Sequence, residues 1–249
     1  PVASGWMSCS CQPWQHPRCP FSGDVGLELS DTPPDVSSLS IVQVHSQDYG
    51  GGAEAVARLH HQELLRQGYA CRLFVARKLG QDPGVEQIAY VRGPPGSRRL
   101  ARWFERWTGR QYLYAPSFQA LLAGLPGQAG LVHLHSLHGV ESYADIHPLI
   151  ALSRRVPVVL TIHDLWLLTG HCAHPLDCPG WLSGCGHCPD LERYPALPRD
   201  GTRANWRRKF RIFAQVQAHL IVPSQWVAEQ VAQSPILRHL PVTVVHNPV

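Results

Sequence analysis

Several features are missing from this 249-residue chain, and each absence removes a class of protein. No run approaches the ~18 consecutive apolar residues of a membrane-spanning helix. No repeat of fixed period marks a solenoid or propeller. The chain opens on Pro1, and its single methionine is Met7. The basic region and apolar run of a secretory signal are also missing. There is no G-x-G-x-x-G fingerprint and no Walker A sequence, which argues against a dinucleotide oxidoreductase and a P-loop enzyme. Charge is sparse at 16% of residues, with a net of +4. The arginines are dispersed and no nucleic-acid motif accompanies them, so nucleic acid is not an expected partner.

What remains divides into two parts. Residues 1–38 are rich in Pro, Ser and Cys without a sustained period, and are expected to form a disordered or irregular lead-in, or a translated upstream extension. Residues 39–249 alternate apolar runs with helical periods. Strands are expected at Leu39–His45, Ala70–Ala76, Ile88–Val91, Leu131–His135, Val158–Ile162, Leu220–Val222 and Val242–Val245. Helices are expected over about Ala53–Gln67, Arg98–Arg110, Ser117–Ala123, Tyr143–Arg154 and Thr202–Val216, and from the N-cap Ser224 to Gln233. This order predicts an α/β fold, a Rossmann-like doubly wound parallel sheet. The helix at 98–110 carries Leu100, Trp103, Phe104 and Trp107 among Arg98, Arg99, Arg102 and Arg106. The favoured reading is a surface helix with a buried aromatic stripe. The sharper alternative is contact with a membrane surface or an anionic acceptor.

The stretch from Val158 to Pro189 carries most of the chemistry. A β-branched run delivers His163 and Asp164 to a strand's carboxyl end, where open α/β sheets bind ligands. His135 and His138 fall at the end of another strand. Gly50, Gly51 and Gly52 open a helix, where free N–H groups and the helix dipole favour an anion. Either set also has a plain structural reading, as a loop cap or a tight turn. Cysteine is used unevenly. Of the eight residues, Cys9, Cys11 and Cys19 lie in the lead-in, and Cys71 reads as a small buried hydrophobe. Cys172, Cys178, Cys185 and Cys188 follow the pattern C-x5-C-x6-C-x2-C within a loop at 170–190. Three readings stand: a structural Zn²⁺, thiols that pack or occasionally form disulfides, and a catalytic thiol or metal. Eight cysteines without an export signal indicate a reducing, cytoplasmic compartment.

These stretches together resemble the N-terminal domain of family 4 glycosyltransferases, retaining nucleotide-sugar enzymes of the GT-B fold, closest to the exopolysaccharide and colanic-acid branch. The likeness rests on GGGAEAVARLHHQELLRQGY, VHLHSLHG, VVLTIHDLWLLTGHCAHPLDCPGWLSGCGHCP, WRRKF, VPSQWVAE and VVHNPV, and covers about residues 39–249. It implies transfer of a hexosyl unit from a nucleotide diphosphate sugar to a saccharide or lipid-linked acceptor, with retention, in polysaccharide biosynthesis. It implies that His163 and Asp164 are catalytic and that Gly51, Gly52, Glu54 and His135 bind substrate. No cofactor is required for catalysis, and a zinc held by Cys172, Cys178, Cys185 and Cys188 would be structural. Asn247-Pro248 match the crossover to a second, donor-binding domain. No such domain follows, so the expectation is an incomplete enzyme, inactive as this fragment alone. Lipid-linked acceptors imply peripheral contact with the inner face of the plasma membrane. The competing class is a non-catalytic α/β module that binds a partner through a zinc-stabilised cysteine loop.

Overall fold

The computed structural model describes residues 39–139 and 143–248. The lead-in with its three cysteines lies outside them. Seven parallel strands form one sheet in the order β3-β2-β1-β4-β5-β6-β7. They are β1 (Ser40–Gln47), β2 (Ala70–Arg77), β3 (Val85–Gln87), β4 (Leu131–Leu134), β5 (Val158–Thr161), β6 (His219–Val222) and β7 (Val242–Val244). The chain winds outward from β1 to β3, then restarts at β4 on the other side of β1 and winds outward again. The sheet is therefore doubly wound, and its topological switch point lies between β1 and β4.

Both faces of the sheet are covered, so its strands read as near-continuous buried runs. Val42, Val44, Val132, Leu134, Val158, Leu160, Leu220 and Val222 are all buried in one core with Phe118, Leu149 and Phe213. Gln43 and His45 interrupt the apolar run of β1, and both are fully buried. Burying a polar group in a central strand costs free energy unless a partner is supplied. Gln43 Nε2 has one, His60 Nδ1 at 2.6 Å, on helix α1 (Gly52–Arg66).

The other α-helices among the described residues are α2 (Ser97–Thr108), α3 (Pro116–Gly124), α4 (Leu149–Ser153), α5 (Gly180–Ser183), α6 (Thr202–Phe213) and α7 (Gln225–Gln233). Ser224 caps α7 as expected, its Oγ accepting from Val227 N at 3.3 Å. Three expectations fail for physical reasons. The helix expected from Tyr143 shrinks to α4, because Pro148 disfavours helix in the residue before it and Asp145 Oδ1 instead accepts from His147 N. The third strand falls at Val85–Gln87 rather than Ile88–Val91. It is an edge strand, held to β2 partly by the ion pair of Arg72 with Glu86, so its apolar signal is weak. The aromatic stripe of α2 is not buried: no residue of that helix is. Helix α3 supplies the buried Phe118 and Leu122 on the way from β3 to β4, which leaves α2 outside the core.

Candidate active site

At the switch point β1, β4 and β5 end side by side, and each delivers a histidine. His45 is in β1, His135 follows β4, and His163 follows β5. His135 N continues the β1 ladder by donating to Val44 O at 3.0 Å. His135 Nδ1 and His163 Nε2 share a hydrogen bond of 3.1 Å, and their rings stack with centroids 5.4 Å apart. The His45 ring centroid is 5.6 Å from that of His135 and 6.2 Å from that of His163. His45 Nδ1 accepts from Gln47 N at 3.3 Å, so the proton of the neutral ring sits on Nε2.

The cluster is uncharged. Burial, followed by the neighbouring imidazoles His163 and His138, lowers the pKa of His45 to about 3. Burial lowers His133 to about 3, with His60 and His163 adding to the effect. His135 is driven well below its ordinary value by the same causes. His163 is lowered to about 4, chiefly by burial, which outweighs the raising effect of Asp164. Four rings that resist protonation form a polar but neutral floor.

Asp164 has a different job. Its Oδ1 accepts from Trp166 N at 2.8 Å, closing the turn after β5. Its Oδ2 is 3.2 Å from His138 Nε2. Burial raises its pKa, but the bond to His138 and the remaining polar contacts outweigh this and the net shift is downward. The ionised carboxylate thus orients His138, whose ring stacks on Trp166 at 5.1 Å. Tyr194 completes that wall, with its ring 5.7 Å from His138.

On the opposite wall, α1 begins at the glycine loop. Gly50, with φ at +139°, is the glycine whose backbone needs the residue type, and a Cβ there would meet Gln47. Gly51 is extended and stands at the N-cap. A Cβ on it would lie 2.9 Å from Glu54 Oε2, so the Glu54 carboxylate folds over the loop. Gln47 Nε2 reaches Glu54 Oε1 at 3.5 Å. All three glycines are exposed.

The fold therefore brings His135, His163 and Asp164 together, with Glu54 and the glycine loop at the edge of the adjacent strand. His45, Tyr194 and Lys209 were not anticipated. A histidine inside an otherwise apolar first strand was the available signal for His45. Lys209 reads as one more basic residue of α6, yet it is 3% exposed. Its Nζ donates to Trp166 O and, at 3.0 Å, to Thr169 O, and sits 3.5 Å from the Trp166 ring centroid. Burial lowers its pKa to about 7. The four loop cysteines are free. His60, His133 and His135 offer ring nitrogens within 4.8 Å of one another.

The depressed histidines make stability pH-dependent. A base that the fold keeps neutral binds its proton more readily when unfolded, so its contribution is full above the unfolded pKa near 6.5 and is lost as pH falls toward the folded values of about 3 to 4. The urea midpoint is expected to drop steadily from pH 7 to pH 4.5. A midpoint constant over that range would contradict a neutral buried cluster.

A doubly wound sheet with polar residues gathered at its switch point is the architecture of a ligand-binding α/β domain. The profile described as Glycosyltransferase Family 4 matches residues 50–249, and the chain belongs to that family. It is 29% identical over 205 residues to the Escherichia coli (strain K12) protein described as "Putative colanic acid biosynthesis glycosyl transferase WcaC", a match covering 77% of this chain and 50% of that protein. The chain thus spans about half the length of that relative. Among solved structures it is similar to Medicago truncatula UGT71G1 complexed with UDP-glucose, at 13% identity and a TM-score of 0.44, covering 85% of this chain and 52% of that one.

Proposed function

We propose that this chain is the first half of a two-domain GT-B enzyme that transfers a hexosyl unit from a nucleotide diphosphate sugar to a saccharide or lipid-linked acceptor, with retention, in polysaccharide synthesis. Family membership over residues 50–249 and the WcaC relative support the reaction class. The observation that carries the site is the His135–His163 pair at the switch point. His163 spends Nε2 on His135, which leaves Nδ1 for a sugar hydroxyl. A neutral ring orients the sugar by hydrogen bonding and adds no charge. The charge that builds on the departing diphosphate then needs other partners. The first-turn N–H groups after Gly51 are one source, and cations of a second domain are the other. Glu54, an acceptor folded over the glycine loop, suits a sugar hydroxyl better than a phosphate. Asp164 is the positioning residue for His138, which packs against Tyr194. None of these roles needs a metal cofactor. Because one wall supplies only part of the leaving-group stabilisation, residues 1–249 alone are expected to turn over poorly. Transfer assayed with the full-length protein and a panel of nucleotide sugars tests the reading; failure to release nucleoside diphosphate from any donor would overturn it.

The surface of α2 supports a peripheral membrane location at the cytoplasmic face. Leu100, Trp103 and Trp107 are 70%, 61% and 58% exposed, and the two indoles stack in parallel, 6.0 Å apart. Exposed arginines Arg99, Arg102 and Arg106 flank them. Next to this helix, a groove of about 1080 Å³ is lined by Trp107, Arg110, Arg203, Arg207 and Arg211. Exposed indoles with surrounding arginines suit an anionic lipid surface. No described helix is long and apolar enough to cross a membrane. Arg99→Glu and Arg102→Glu are each expected to weaken binding to phosphatidylserine vesicles at least roughly fivefold at low salt, at ~1 kcal/mol per arginine. Equal binding of wild type and double variant would remove this assignment.

A further inference from the structure

The cysteine loop is unused by the mechanism above, yet its chemistry is specific. Cys172, Cys178, Cys185 and Cys188 all line one small cavity of about 60 Å³ with His171, Trp181 and Thr202. The sequence brings them there in two ways. After the turn at Trp166–Leu168, Thr169 Oγ1 donates to Cys172 O at 2.6 Å and fixes the first cysteine. The short helix α5 then reverses the chain, and Gly184, Cys185, Gly186 and His187 all take positive φ. That turn aims Cys185 and Cys188 back at the first pair. Gly170 N donates to Cys185 Sγ at 3.2 Å, and His171 Nε2 is 3.3 Å from Cys188 Sγ.

Beneath the loop lies Lys209, a buried ammonium whose bonds run to two carbonyls and an indole face rather than to a carboxylate. A buried cation is stable only when compensated. The cysteines of the loop are the residues that become anionic when they bind a metal.

We infer that these four cysteines bind one Zn²⁺ as a structural tetrathiolate site, with Lys209 as its buried counter-cation. Binding replaces four thiol protons, which pass to solvent, by four Zn–S bonds, and no redox change occurs. The sulfurs ring the cavity at wider spacing than a closed site, in which each lies about 2.3 Å from the metal. The trio His60, His133 and His135 has tighter spacing but suits a dication less well. It brings no negative charge to the sheet interior, and each ring already spends one nitrogen, on Gln43, Thr161 and His163 respectively. The zinc would act on the active site through the backbone. Ala173, beside Cys172, donates to Tyr194 O at 2.8 Å and accepts from Leu165 N at 2.8 Å, so the loop holds both Tyr194 and the turn after Asp164.

The test is metal content and spectroscopy of the full-length protein, purified under reducing conditions. About one zinc per chain is expected. Cobalt(II) replacement is expected to give an intense thiolate charge-transfer band with tetrahedral d–d bands. Cys185→Ser is expected to lose the metal, whereas the exposed His187→Ala keeps it. Where the serine variant fails to fold, the wild-type cobalt spectrum decides alone. Absence of bound zinc together with no thiolate band on cobalt titration overturns the assignment. So does a full equivalent of metal retained by folded Cys185→Ser whose cobalt form shows no thiolate band.

Discussion

Replacing His163 by alanine in the full-length enzyme is expected to lower kcat by roughly 10²–10³, the range measured for loss of one preorganised hydrogen-bonding group. The ring is held by His135 at 3.1 Å, so its free nitrogen has a fixed direction. The pKa of about 4 keeps it neutral across the physiological range. The loss is therefore one of orientation, and activity between pH 6 and 8 is expected to show no inflection from this group in the wild type. The fold is expected to survive, because His163 lies past the end of β5 and is only half-buried. His163→Gln retains a hydrogen-bonding side chain and is expected to recover part of the rate. Alanine and wild-type enzymes of equal kcat, both folded, would remove His163 from the mechanism.

The second large effect concerns Lys209, where charge and packing oppose each other. Removing a buried ammonium relieves a desolvation cost. It also strips the carbonyls of Trp166 and Thr169 of their donor, and each unsatisfied buried acceptor costs about 1–3 kcal/mol. Two carbonyls and a lost indole contact outweigh the relief, so Lys209→Met is expected to destabilise by roughly 2–4 kcal/mol. Lys209→Ala adds a cavity and is expected to cost more. Because Trp166 backs His138, the folded methionine variant is also expected to lose activity. Denaturation midpoints of the three proteins decide: a methionine variant as stable as wild type would mean that the ammonium is a burden and that the carbonyls find other donors.

Much of this molecule was legible in its residues, in proportion to how strongly burial constrains them. Val158–Thr161 and Leu131–Leu134 are central strands covered on both faces, and their apolar runs announced them. Ser224 announced α7 through its cap. The edge strand Val85–Gln87 was misplaced by a few residues, because only Val85 of its three residues is buried. Helix α2 misled in another way. Its aromatic spacing is that of a core helix, yet α3 fills the crossover and leaves Trp103 and Trp107 in solvent. Periodicity reports an apolar face and not what covers it. At the site, His163 and Asp164 stood out because polar residues ended an apolar strand. Lys209 did not, since a lysine among arginines looks solvated until tertiary packing places Trp166 over it. Tyr194 is thirty residues past Asp164, and only the fold of the cysteine loop brings it back.

Retention at the proposed donor site has a direct test. The most direct measurement is proton NMR of the product formed by the full-length enzyme from an α-linked nucleoside diphosphate hexose, read at early times. An α-glycosidic anomeric signal is expected. A β-linked product would contradict it.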